Sequence, residues 1–311
     1  MNPSHTAVDI SICICTYKRP AQLQILLEAI TRQERHDLRL EIVVADNDPA
    51  GSALEHLELF AASLPLPLQS RHVTTPNIAL ARNATVHAAR GDWILFVDDD
   101  EEPDPGWITA LVRTQRAHQA DAVFGPVLPR YARGTPGWMR AGGFFDRPRH
   151  ATGTRIGVGD TRTGNVLVRR QLLLELPGPF DEAYGRTGGS DTILFGQLLA
   201  RGAVLVWCDE AAVREDVPPD RATLRWLLQR SFRGGQSFVR SELQPLTGRK
   251  RLARLLYLGV RALLQLLIAA LLALGWLPFS RIRAATWLRT AAAQMGKLSS
   301  LAGHRYQEYR H

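Results

Sequence analysis

The chain has 311 residues, 45% of them apolar and 22% charged, enough to bury a sizeable core as one large domain or two smaller ones. Its three cysteines exclude a disulfide framework, and Cys13 and Cys15 lack the second ligand pair of a zinc site. The net charge of +8 is lopsided: residues 249–311 carry eleven Arg or Lys against the single acid Glu308, and the first 248 residues net −2. The main body is therefore not built for nucleic acid, and the basic tail brackets an apolar run, which favours lipid as its partner.

Polar residues run straight into the first strand, with no basic-then-apolar leader, so a cytoplasmic location is expected. Ile10–Cys15 reads as a short buried strand, and Cys13 and Cys15 share one of its faces. After the polar loop Thr16-Tyr17-Lys18-Arg19, Pro20 suits the first turn of a helix carrying Leu23, Leu26, Leu27 and Ile30 at helical spacing. Leu40–Ala45 is a second strand, ending in Asp46-Asn47-Asp48-Pro49. A helix over Ser52–Ala62, a strand over Leu68–Val73 and a helix over Ile78–Ala89 follow, with Gly91 ending the last. Trp93–Val97 is a fourth strand, then a helix near Trp107–His118 and a strand over Ala122–Val127. Residues 130–165, rich in Gly, Arg and aromatics, read as a functional loop region. Strands over Asn165–Val168 and Val204–Trp207 flank a helix over Asp191–Ala200, and Ala222–Gln229 reads as helical.

Alternating strands and helices predict an α/β fold, a mostly parallel sheet with helices on both faces. Ligands bind such sheets at the carboxyl ends of the strands. Three polar clusters fall there: Thr16–Arg19, Asp46–Asp48 and the acidic run Asp98-Asp99-Asp100-Glu101-Glu102. Five adjacent acids repel one another, and a divalent cation offsets that repulsion. Taken alone, the run also fits a solvated loop that caps the next helix. Gly-x-Gly-x-x-Gly is absent after the first strand, which removes the main support for a dinucleotide cofactor.

Six motifs in order carry a resemblance. They are Ser11–Pro20, Val43–Asn47, Asn77–Asn83, Phe96–Glu101, Thr163-Gly164-Asn165 and Gly188-Gly189-Ser190-Asp191. Over residues 9–240 the chain resembles the inverting family 2 nucleotide-sugar glycosyltransferases of the GT-A fold, with a narrower likeness to bacterial succinoglycan and exopolysaccharide glucosyltransferases. The resemblance implies a nucleotide-sugar half (1–128), an acceptor half (129–248) and a helical tail (249–311). It implies that Thr16, Tyr17 and Arg19 line a uracil pocket, that Asp46 contacts the base, and that Arg82 meets uracil or phosphate. By the same likeness Asp98 lies near the ribose and Asp100 binds Mg²⁺ or Mn²⁺ bridging the diphosphate. If the strand persists through the run, Asp98 and Asp100 share a face, leaving Asp99 and Glu101 to bond locally. Asp191 is the expected catalytic base, with an N-terminal capping role beside it. The family usually has Glu where this chain has Ser190.

The tail's cleanest apolar stretch, Ala262–Leu277, would be about 24 Å long as a helix, short of the roughly 30 Å hydrocarbon core. Basic residues flank both ends, which suggests a helix lying in the interface or a shallow re-entrant pair, with a buried core helix and a true span as the alternatives. The expected function is metal-dependent transfer of a sugar, glucose first, from a UDP-sugar to a lipid-linked saccharide in exopolysaccharide or cell-surface polysaccharide biosynthesis. The expected place is the cytoplasmic face of the inner membrane, peripheral or monotopic. Two alternatives remain: a nucleotide-sugar-binding subunit with little activity, or a nucleotidyltransferase, against which the Gly-free Thr16–Pro20 loop speaks.

Overall fold

The computed structural model describes residues 8–185, 188–243 and 246–304, with the backbone alone at Ser241. The residues ahead of the first strand and the tail's last charges (Arg305, Glu308, Arg310) lie outside that set. In chain order the elements are β1 (Ile10–Thr16), α1 (Pro20–Thr31), β2 (Leu40–Asp46), α2 (Leu54–Ser63), β3 (Leu68–His72), α3 (Ile78–Ala88), β4 (Trp93–Val97), β5 (Glu101–Pro103), α4 (Trp107–His118), β6 (Ala122–Phe124), β7 (Val127–Tyr131) and α5 (Gly137–Ala141). Then come β8 (Asn165–Arg169), α6 (Arg170–Leu174), α7 (Ser190–Ala200), β9 (Leu205–Trp207), β10 (Val213–Val217), α8 (Leu224–Leu243), α9 (Gly248–Trp276) and α10 (Arg281–Leu301). They form two compact units, one running to Pro129 and including Arg147–Asp216, the other Arg130–Asp146 with the chain from Val217 onward. Residues 129–248, read from the sequence as one acceptor half, are thus shared between the two.

The first unit is built on a seven-stranded sheet of order β3-β2-β1-β4-β8-β6-β9. Strand alternation sends successive side chains to opposite faces. Ile10, Ile12, Ile14, Ile42, Val44, Leu95 and Val97 enter one core with Leu23, Leu27, Trp107 and Leu111 of α1 and α4. Cys13, Val43, Ile94 and Phe96 enter the other, with Val86 of α3 and Leu194, Phe195 and Leu198 of α7. Burial pushes the Cys13 and Cys15 thiols well up, so both stay protonated.

Strands β1 to β4 are mutually parallel, and Thr16 stands opposite Asp46 at their carboxyl ends. Strand β8 then runs antiparallel between β4 and β6, so the parallel run is interrupted at its centre. The predicted strand over Ala122–Val127 is two: it stops at Phe124, and Val127 begins β7 of a small sheet ordered β5-β10-β7. Pro126 has no N–H to donate to a ladder, which explains a break there.

Buried Glu41 anchors the entry to β4. Its carboxylate accepts from Ser11 Oγ at 2.6 Å, Arg90 N at 2.7 Å, and Arg90 Nε and Nη2 at 2.8 and 2.6 Å. Removing Arg90 alone would strand a buried charge, which typically costs several kcal/mol.

In the second unit, Met139, Phe144, Leu227 and Ala285 form one small core, and Val239, Leu243 and Leu258 another. A Cβ on Gly235 would lie 2.0 Å from Ala293 O, and one on Gly296 only 1.9 Å from Phe232 O. These two glycines therefore let the backbones of α8 and α10 touch. Helix α9 buries Leu258, Ala262, Ala269 and Ala273. Its opposite face is apolar and open: Leu256, Val260, Leu263, Leu267, Leu271 and Leu274 each leave more than half their area exposed. The helix read over Ala222–Gln229 belongs to the longer 20-residue α8 (Leu224–Leu243), which meets α10 at Gly235.

Candidate active site

The site is the set of loops beyond β1, β2 and β4 and the one leading into β8 in the first unit. After β1, Thr16 Oγ1 donates to Asp99 Oδ2 at 2.8 Å. Arg19 precedes α1, and its Nη1 reaches Asp99 Oδ1 at 3.2 Å and Asp100 Oδ2 at 2.7 Å. The structure thus draws Thr16 and Arg19 to the acidic run rather than to Asp46. Tyr17 is half-buried, with the Lys18 ammonium 5.1 Å from its ring centroid.

Asp46 is fully buried. One oxygen accepts from Asp48 N at 2.9 Å and the other from Ala53 N at 2.8 Å. The sequence offers no packing reason for an acid at this strand end; the structure supplies one, because the carboxylate folds the loop between β2 and α2. Asn47 continues that work. Its Nδ2 donates to Val73 O and Thr75 O, and its Oδ1 accepts from Asn77 N. Asn77 caps α3 through Ala79 N and Leu80 N. One turn on, Asn83 bonds both backbone groups of Phe180, whose ring meets Phe96 edge-on at 5.6 Å. Arg82 lies over that ring and comes within 3.8 Å of Asp98 Oδ1.

Strand β4 does not persist into the acidic run. It ends at Val97, and Glu101 N donates to Asp98 O at 3.1 Å, closing a turn. The strand alternation expected to put Asp98 and Asp100 on one face is therefore lost. Asp98 faces Arg82, while Asp99 and Asp100 share Arg19. Glu101 bonds locally as expected, accepting from Asp98 N at 3.0 Å, whereas Asp99 bonds across 83 residues to Thr16.

The charges explain the strain on this turn. Asp98 leaves nearly half its side chain open to solvent, yet the surrounding protein still disfavours its ionised form. Burial raises its pKa first, then the charges of Asp100 and Asp191; Arg82 and Arg147 oppose them. Burial pushes Asp99 up to about 6 despite Arg19 and Thr16. Glu101 is raised well above the ordinary carboxylate range by burial and by Asp98. Gly164 lies against this group: a Cβ there would sit 2.6 Å from Glu101 Oε1 and 3.0 Å from Asp98 Oδ2. Beside it, Thr163 Oγ1 is buried with no partner.

No three His, Cys, Asp or Glu among the described residues form a ready-made metal cage. What the turn offers is one or two carboxylates, Asp98 and Asp100, each within reach of a single arginine. Mg²⁺ takes that donor set when phosphate oxygens and water complete its shell. The residues therefore fit a cation that arrives with a diphosphate.

Asp191 stands in the first turn of α7, which Gly189 caps in a left-handed conformation with φ +101°. Its Oδ1 accepts from Thr192 N at 2.8 Å, and the side chain remains partly exposed. Its charge is felt at Asp98 and at Arg162. Arg147 and Arg162 reach the same neighbourhood from the irregular 147–163 segment; neither stands in a motif or a periodic pattern, so no sequence signal marks them.

A mostly parallel sheet with an acidic turn at its centre and a second carboxylate beyond it defines the chain as a GT-A glycosyltransferase. The solved structures agree on the fold. The mannosyltransferase PcManGT from Pyrobaculum calidifontis, in complex with GDP-Man and Mn²⁺, matches with a TM-score of 0.64 at 18% identity, over 98% of this chain and 92% of that one. S. aureus TarS 1-349 in complex with UDP-GlcNAc matches at 0.55 and 16%, over 96% and 93%. The chain belongs to glycosyl transferase family 2, whose sequence profile matches residues 11–176. It is 36% identical over 241 residues to the succinoglycan biosynthesis protein ExoM of Rhizobium meliloti (strain 1021), covering 76% of each chain. The abequosyltransferase RfbV of Salmonella typhimurium is 34% identical over 116 residues, 36% of this chain and 34% of that protein.

The raised Asp99 pKa makes stability depend on pH. The folded chain holds that proton more tightly than the unfolded one, so its contribution is complete below about pH 3.8 and is lost as pH rises through 6. The loss should amount to roughly 3 kcal/mol by pH 7. In metal-free buffer, urea unfolding from pH 4 to 7.5 should show Asp99→Asn gaining stability relative to wild type as pH rises. A difference that stays flat with pH would remove the linkage.

Proposed function

We propose that this glycosyltransferase moves a sugar, glucose first among candidates, from a UDP-sugar to a lipid-linked saccharide in exopolysaccharide or cell-surface polysaccharide assembly. The observation that carries the reading is the convergence of Thr16, Arg19, Arg82 and the Asp98–Glu101 turn at neighbouring strand ends. The likeness to a succinoglycan biosynthesis protein supports the pathway class, and the UDP-GlcNAc of a fold neighbour supports the donor class.

In this account Tyr17 and the Asp46-built loop hold the uracil, and Asp98 lies toward the ribose. Arg19 and Arg82 stand by the phosphates. Asp100 would hold Mg²⁺ or Mn²⁺, with Asp98 nearby; that cation neutralises charge on the leaving diphosphate. Asp191 takes the proton from an acceptor hydroxyl as the oxygen forms its bond to the anomeric carbon and the carbon–phosphate oxygen bond breaks on the other side. Attack from that side inverts configuration, so an α-linked donor yields a β-linked product.

Helix α9 supports a membrane-surface location. Its 29 residues extend about 43 Å, with one apolar face open along that length and the other lined by Leu258 and three alanines. Helix α10 alongside carries Arg281, Arg283, Arg289 and Lys297, which are costly in hydrocarbon. A helix lying in the headgroup layer at the cytoplasmic face satisfies both, with Arg249, Lys250 and Arg251 meeting anionic lipid.

Incubating the full chain with UDP-sugars, a lipid-linked acceptor and Mn²⁺ or Mg²⁺ should release UDP. Asp191→Asn should lower that release by about 10²- to 10⁴-fold while leaving UDP affinity intact. Tight UDP binding without turnover on any donor would favour a binding subunit instead, and full turnover by Asp191→Asn would require another base.

On flotation with anionic phospholipid vesicles the wild-type chain should rise with the lipid. Replacing Leu263, Leu267 and Leu271 by Glu should leave a folded protein in the soluble fraction. Equal flotation of that variant would show that the open face of α9 is not the contact.

A further inference from the structure

One pocket of the first unit lies beside the acidic turn and shares Arg147 with it. Its walls include Arg147, Arg149, Asp160, Arg162, Asn165 and Trp207. Three arginines in one wall repel one another unless anions separate them.

Two of the three are already matched. Arg149 bonds both oxygens of Asp209, at 2.9 and 2.8 Å, and Arg147 Nη2 bonds Glu215 Oε2 at 3.0 Å. Asp160 is drawn to His150, whose Nε2 lies 3.3 Å from Asp160 Oδ2. Arg162 differs. It is half-buried, and no hydrogen bond or ion pair joins it to any described residue. Burial and the neighbouring Arg147 charge both push its pKa down, while Asp191 and Asp160 act on it only through space. A guanidinium held in a pocket without a partner is costly, and its planar fork matches a carboxylate or phosphate.

We propose that Arg162, with Arg147 beside it, is an anion-recognition point for the acceptor, and that the acceptor saccharide therefore carries a carboxylate or phosphate substituent near the hydroxyl that reacts. The assignment to the acceptor rests on the reading of Asp191 as the base, because the Asp191 charge acts on Arg162 through space. The acids of the Asp98–Glu101 turn and the cations Arg19 and Arg82 already account for the donor diphosphate. Asn165 cannot serve the anion, since its Nδ2 is spent on Pro126 O and Ala211 O and its Oδ1 on Trp107 Nε1.

The test uses the full chain and three probes: D-glucuronate, glucose and UDP, each titrated by calorimetry or ligand-observed NMR. Wild type should bind glucuronate at least about tenfold more tightly than glucose, as expected for hydrogen bonds to a charged group. Arg162→Gln should erase that preference and leave UDP affinity within twofold of wild type, a bound well inside the error of such energies. Arg162→Lys, which keeps the charge without the fork, should retain part of it, and it answers the question even if the Gln variant does not fold. Equal glucuronate binding by wild type and variants would overturn the proposal. So would an equal loss of UDP binding, which would put Arg162 on the diphosphate. An Arg162-dependent preference for UDP-glucuronate over UDP-glucose would move the anion to the donor sugar and overturn the acceptor assignment. If wild type binds glucuronate selectively but not UDP, the proposed function falls and the anion site stands.

Discussion

More carboxylates crowd the end of β4 than the nearby arginines can balance. Asp98, Asp99, Asp100 and Glu101 occupy one tight turn, with Glu215 close by, and among the described residues Arg19, Arg82 and Arg147 are the cations that reach them. Two consequences are visible: carboxyl groups held above their ordinary pKa, and a glycine where any side chain would strike the acids. Such a turn is stable only because the surrounding sheet fixes it. Glu41 with Arg90 ties down the entry to β4, and Thr16 with Arg19 holds its exit. In the proposed reading a cation and a diphosphate relieve this excess charge, so the residues that cost the fold stability are the ones that would bind the donor.

Much of this was legible in the residues. Strand periodicity placed β1, β2 and β4, and polar residues at three strand ends located the site. Other features depend on contacts that no local pattern encodes. Thr16 and Asp99 meet across 83 residues. Asp46 stood out as an acid at a strand end, but only the folded loop reveals that both its oxygens face backbone N–H groups. The face-sharing of Asp98 and Asp100 failed because a turn replaces the strand after Val97. Strand β8 reads like any other buried strand, and its antiparallel direction follows from where the 130–164 segment returns the chain. Arg147 and Arg162 lie in that irregular segment, where spacing carries no information.

The second unit follows a different physical rule. Its helices meet through glycine and alanine on their inner faces, which leaves the large apolar side chains of α9 facing outward. A soluble helix bundle normally does the reverse. Small residues inside and leucines outside suit a helix whose second partner is hydrocarbon, and the basic residues around it suit anionic headgroups. Lipid at that face and a charged substituent at Arg162 would together define an acceptor that is both membrane-held and acidic.

The central claim is that the acidic turn binds the donor through a divalent cation and its diphosphate. It is tested most directly by the calorimetric affinity of the full chain for UDP, measured with Mn²⁺ and after chelation, in wild type and in Asp100→Asn. The account predicts tight binding only for wild type with Mn²⁺, and weak, metal-independent binding for the variant. UDP affinity that is the same with and without metal in the wild-type chain would contradict it.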